Sequence, residues 1–143
     1  MESTLRNPAL LAVRATPKAA TIAWWIVTAL FCLEMSFTAY YELMRLPEAA
    51  QAFTNLGFPA PWFRIELSWA KVAGVIVLLV PMIPARLKEW AYAGFAINLA
   101  SALIAHLSLG QGPRFWMPSA TTSVLWLLSY VFWRRVQPAQ ANA

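Results

Sequence analysis

Four stretches of this sequence, residues 21–41, 61–83, 86–109 and 115–136, are long and apolar enough to cross a lipid bilayer as helices. A bilayer core requires about 20 mostly apolar residues per spanning helix. The four stretches take up most of the 143 residues and leave no room for a separate water-soluble domain. Only 12% of the chain is charged and 60% is hydrophobic, against about 25% charged in an average soluble domain. The expected fold is therefore all-α: an integral membrane four-helix bundle at residues 21–136, with tails at residues 1–20 and 137–143. The first stretch is not a signal peptide. It is too long, it contains Glu34, and no small-residue cleavage site follows it.

Charge placement sets the expected orientation. Arg6, Arg14 and Lys18 precede the first segment, Arg86 and Lys88 lie between the second and third, and Arg134 and Arg135 end the fourth. The opposite side holds Arg45, Arg64 and Arg114. Seven basic residues against three place both termini in the cytoplasm of a bacterial inner-membrane, multi-pass protein. The net charge of +5 is spread over segment ends, which argues against a nucleic-acid partner. The single cysteine, Cys32, closes no disulfide within the chain and reads as a small buried hydrophobe. One histidine and scattered carboxylates do not suggest a metal site.

The connections differ in kind. "PMIPAR" is a tight turn, whereas "ELMRLPEAAQAFTNLGFPAP" is long. Within the long loop Pro47 can start a short helix, and Gly57 with Pro59 can end it. Leu46, Ala50, Phe53 and Leu56 would share one face, so the spacing predicts an interfacial helix, serving as a connector on the headgroups or as a lid. The tail "NPALLAVRATP" allows a similar short helix.

The stretch "RIELSWAKVAGVIVLLVP" places Arg64, Glu66 and Lys71 in a segment otherwise suited to lipid. Each mid-span charge costs roughly 2.5–3.5 kcal/mol, so such groups must pair or line a wet cavity. By helical rise Glu34 lies about 10 Å and Lys71 about 13 Å below the outer interface, and the two are expected to meet across antiparallel helices. Glu66, Tyr41 and His106 fall nearer the same rim. The expected outer-side ligand pocket comprises Glu34, Tyr41, Glu66, Lys71 and His106. Helical spacing adds supporting groups: Thr38 beside Glu34, Arg64 and Ser68 in register with Lys71, Asn98 and Ser101 on the third helix, and Thr122 with Trp126 on the fourth. Structural alternatives stand beside this reading. Glu34 and Lys71 could form a buried pair that fixes register, His106 could anchor at the interface or bond Glu66, and the Asn98–Ser101 seam could serve packing.

The stretches "RIELSWAKVAGVIVLLVP", "PARLKEWAYAGFAINLASALIAHLSLGQG" and "AYYELMRLPEAAQAFTNLGFP" resemble the DoxX-like family of small four-helix bacterial membrane proteins. The resemblance spans roughly residues 22–136. It implies that Glu66, Lys71 and His106 occupy the family's recurrent polar positions. Ser68 and Trp69 depart from the glycine and aliphatic residue expected there, and Gln111 stands in place of an acidic residue. The resemblance implies a redox association, with quinone as the conceivable cofactor, since founding members accompany a thiosulfate:quinone oxidoreductase. Others join thiol and oxidative-stress complexes, and distant relatives are chaperones. Three functions fit: an accessory subunit binding a small lipophilic, quinone-like ligand; a non-catalytic assembly factor or chaperone; and an acid–base enzyme acting on a lipophilic substrate. The first ranks highest. The expected partners are the lipid bilayer and a redox complex or another membrane protein, with a homo-oligomer also compatible.

Overall fold

The computed structural model describes residues 17–141, and side chains from residue 18 to residue 137. Arg6, Arg14 and the short helix expected in the N-terminal tail lie outside the described residues, as do residues 142–143, whereas residues 137–141 of the expected C-terminal tail are helical. Among the described residues the chain is all-helical: α1 (Pro17–Leu43), α2 (Pro47–Asn55), α3 (Pro61–Leu79), α4 (Ala85–Ser108) and α5 (Pro113–Ala141).

Helix ends follow local chemistry. Pro47, Pro61 and Pro113 each open a helix, where the missing N–H would have had no intrahelical acceptor. Helix α2 closes on Gly57, whose φ is 88°, with Gly57 N–H donating to Thr54 O and Phe58 N–H to Phe53 O. The end of α4 repeats this pattern at Gly110, φ 63°, with Gly110 N–H bonded to Leu107 O and Gln111 N–H to His106 O. Helix α3 stops sooner than its apolar run suggests. Val80 precedes Pro81, whose ring excludes the helical region for its neighbour, and Val80 is extended at ψ 116°. Helix α1 runs two residues past the predicted Tyr41, and this brings Glu42 into its last turn.

The four long helices pack side by side in the cyclic order α1–α3–α4–α5. Side-chain pairings show neighbours running antiparallel: Thr28 meets Ser129 and Glu34 meets Thr122 between α1 and α5, while Glu89 meets Arg134 between α4 and α5. The core contains Phe31, Met35, Leu78, Tyr92, Phe95 and Trp133. Phe31 and Phe95 meet edge to face at 5.0 Å. Gly74 lets α3 approach this ring, because a Cβ there would sit 2.7 Å from Phe95.

The exterior is strongly apolar, and polar and charged side chains lie inside, beside the apolar core. Buried positions include Thr28, Glu42, Arg64, Ser68, Lys71, Lys88, Thr122 and Ser129. Ile22, Ile26, Leu33 and Phe37 of α1, Ile97 and Ile104 of α4, and Val124 and Leu127 of α5 face outward. Helices α1 and α4 are long and apolar enough to cross a membrane, and their apolar windows are mostly exposed, unlike the core helix of a water-soluble protein. An exterior of this kind is stable against hydrocarbon.

Candidate functional site

Three residues of α3, Arg64, Ser68 and Lys71, stand at i, i+4 and i+7, and all are buried on the face turned toward α1. Glu42 meets them from the last turn of α1. Lys71 Nζ donates to Glu42 Oε1 at 2.6 Å. Ser68 Oγ lies 2.7 Å from Glu42 Oε2 and also 2.7 Å from Arg64 O. Arg64 is buried, and its Nε has no hydrogen-bond partner. Glu42 thus bridges Lys71 and Ser68, and Arg64 joins this cluster through its backbone carbonyl.

Lys71 also borders a groove of about 380 Å³ between α3 and α4. Its walls are apolar, with Leu67, Gly74, Trp90 and Phe95 among them. Lys71, Asn98 and Trp90 are the lining side chains that can donate hydrogen bonds. Gly94 forms part of the rim and has open space where a Cβ would stand.

The expected contact between Glu34 and Lys71 does not form. Glu34 faces α5 and accepts a hydrogen bond from Thr122, whose Oγ1 also lies 2.9 Å from Pro118 O. Glu34 lies eight residues before Glu42, about 12 Å along the axis, so the register of α1 against α3 brings Glu42 rather than Glu34 to Lys71. Glu66 is exposed on the outer face of α3, between the exposed Trp62 and Trp69. His106 is held by its own helix end, with Nδ1 at 2.5 Å from Gln111 Oε1, and is not bonded to Glu66. The Gly110 turn folds Gln111 back over that last turn. Among the described residues, no ion pair or hydrogen bond links any two of Glu34, Glu66, Lys71 and His106.

The supporting residues are also dispersed. Tyr41 is exposed and packs its ring 4.6 Å from that of Phe37. Thr38 donates to Met35 O at 3.0 Å. Ser101 is exposed, and Asn98 is half-buried at the groove. Trp126 donates to Tyr92 O at 2.9 Å and stacks on Tyr130 at 5.9 Å.

Two features escape a linear reading. Ending the first span at Tyr41 leaves Glu42 in the loop, although Met35, Ala39 and Glu42 continue one helical stripe from Phe31, which is the signal the sequence offers. A second polar system ties α1, α4 and α5 together: Thr28 Oγ1 and Ser129 Oγ are 2.7 Å apart, Ser129 Oγ and Tyr92 Oη 2.7 Å, and Trp24 Nε1 donates to Tyr92 Oη at 3.3 Å. Lone Ser and Thr residues in apolar runs give no sign of this convergence. Among the described residues no three His, Cys, Asp or Glu side chains are grouped as a metal site, and Cys32 is a buried free thiol.

The family model that matches this chain is described as the DoxX-like family, over residues 26–128. No curated protein and no solved structure matches it.

Proposed function

Because this chain belongs to the DoxX-like family of membrane proteins, we propose that all four long helices cross the bacterial inner membrane with both termini cytoplasmic, and that the α3–α4 groove binds a small lipophilic molecule of the quinone class. The protein would serve as an accessory subunit to a redox system, presenting or storing the ligand.

The groove is the observation that supports this reading most directly: about 380 Å³, apolar walls, and hydrogen-bond donors on Lys71, Asn98 and Trp90. Binding sites for small lipophilic molecules combine an apolar enclosure with a few placed polar groups. A flat carbonyl-bearing ring would enter laterally from the lipid and lie against Trp90 and Phe95. Its carbonyl oxygen would accept from the Lys71 ammonium or the Asn98 amide. The positive charge of Lys71 favours an electron-rich oxygen there, while Glu42, itself bonded by Ser68, holds the ammonium in place.

Titration of the purified protein with a short-tailed benzoquinone, followed by tryptophan fluorescence, tests the reading, since Trp90 lines the groove. Saturable quenching is expected in the wild type and its loss in Gly94→Leu, which fills the groove where space is open. Quenching that rises linearly with ligand, or that is identical in Gly94→Leu, would count against it.

One observation favours an assembly role beside or instead of ligand binding. Glu66 is an outward carboxylate between two exposed tryptophans on α3. An unpaired charge on a lipid-facing surface is unfavourable, and a basic side chain from a neighbouring membrane protein would relieve it. Copurification from native membranes that is lost in Glu66→Leu would support this role, and unchanged recovery would remove it.

A further inference from the structure

We propose a second binding site, at the opposite end of the molecule from the Glu42–Lys71 cluster, for a negatively charged phosphate group held by Lys88. The site is independent of the quinone-class reading. A cavity of about 220 Å³ lies there, enclosed by Trp24 and Trp25 of α1, Ile83 of the α3–α4 turn, Lys88 of α4, and Trp133 and Gln137 of α5.

Lys88 is only 5% exposed. Its ammonium has three donors, yet its sole hydrogen-bond acceptor among the described residues is Leu78 O, at a long 3.4 Å. Leu78 O belongs to the last turn of α3, where carbonyls lack helical partners. Below the ammonium lies the Trp24 ring, its centroid 5.4 Å from Nζ. No carboxylate among the described residues answers the charge. The adjacent Glu89 is turned outward to Arg134, 3.1 Å away, while Glu42 and Glu34 are engaged on Lys71 and Thr122. A charge withdrawn from water is stable only when paired and hydrogen-bonded. Here the protein supplies a weak acceptor, an aromatic face and an adjoining cavity, but no counter-ion.

An anion in the cavity would complete the site. The half-buried Gln137 amide adds a second donor, and the tryptophan walls tolerate the glycerol or acyl stems of a lipid. Arg86 and Arg135 are exposed at the same end and raise the local concentration of anions. Both an anionic phospholipid headgroup and free phosphate present this chemistry, and the proposal covers the phosphate oxygens they share.

The test uses the full chain in detergent, offered equal amounts of phosphatidylglycerol and phosphatidylcholine, with native mass spectrometry counting retained lipid. A parallel thermal melt is run with millimolar inorganic phosphate. Retention of phosphatidylglycerol on the order of fivefold above phosphatidylcholine, lost in Lys88→Met and kept in Arg135→Gln, would establish the site with lipid as its source. A rise in melting midpoint with inorganic phosphate, lost in the same variant alone, would establish it with free phosphate. Should Lys88→Met fail to accumulate, Ile83→Trp fills the cavity while keeping the cation, and the same losses are expected. No preference and no phosphate-dependent shift in the wild type would overturn the proposal. So would responses that persist in Lys88→Met, or in Ile83→Trp where that variant is used, or that fall equally in Arg135→Gln.

Discussion

The Lys71–Glu42 pair has side chains only 8% and 10% exposed, so its partners are tied to each other more strongly than a surface pair would be. Removing one member strands the other. Lys71→Met leaves a buried carboxylate bonded to Ser68 alone, and Glu42→Gln leaves the buried Lys71 ammonium without its counter-ion. Each single change should cost about 3–5 kcal/mol. The double variant Glu42→Gln/Lys71→Met should lose much less than the sum, because it removes the uncompensated charge. Denaturation of the four proteins in one detergent measures the coupling. Additive losses would show that the two residues do not depend on each other.

At the scale of elements, α3 and α4 are held by the fit of a ring against a bare backbone. A Cβ on Gly74 would stand 2.7 Å from two atoms of the Phe95 ring, and that ring is braced by Phe31 at 5.0 Å. It therefore has nowhere to retreat. Gly74→Ala should destabilise by about 1–3 kcal/mol through overpacking, and it should also widen the groove that these helices enclose. Gly94, on the facing helix, has nothing within 4 Å of the point where a Cβ would stand, so Gly94→Ala should be nearly neutral. Thermal melts of the two variants check the contrast. A Gly74→Ala protein as stable as Gly94→Ala would mean that the helices can separate freely. The Thr28–Ser129–Tyr92–Trp24 system fastens α1, α4 and α5 to one another, since hydrogen bonds between helices contribute where lipid gives no hydrophobic drive toward association.

For the whole molecule, the apolar exterior sets the solvent. Ile97 is 69% exposed on α4. In water, exchanging such a residue for arginine would change stability by no more than about 0.5 kcal/mol. In hydrocarbon the same exchange costs about 2.5–3.5 kcal/mol on insertion scales. Ile97→Arg should therefore sharply lower the fraction of α4 inserted in a glycosylation-based insertion assay, while Ile97→Leu leaves it unchanged. Equal insertion of the arginine variant would mean that this face is wet or covered by protein.

The sequence by itself determined whatever depends on neighbours along the chain. The lengths of the apolar runs, the helix starts at Pro47, Pro61 and Pro113, and the stops at Gly57 and Gly110 follow from dihedral preferences and missing donors. The common face of Arg64, Ser68 and Lys71 follows from helical periodicity. Only the tertiary structure decided which acid meets Lys71, that Lys88 is buried rather than part of a basic rim, and that Thr28, Ser129 and Tyr92 converge. Periodicity gives a residue's angle about its own axis, but a contact also needs the axial shift and rotation of a second helix. Those are fixed by packing features such as Phe95 against Gly74, and a slide of two helical turns in α1 separates Glu42 from Glu34 as the partner of Lys71.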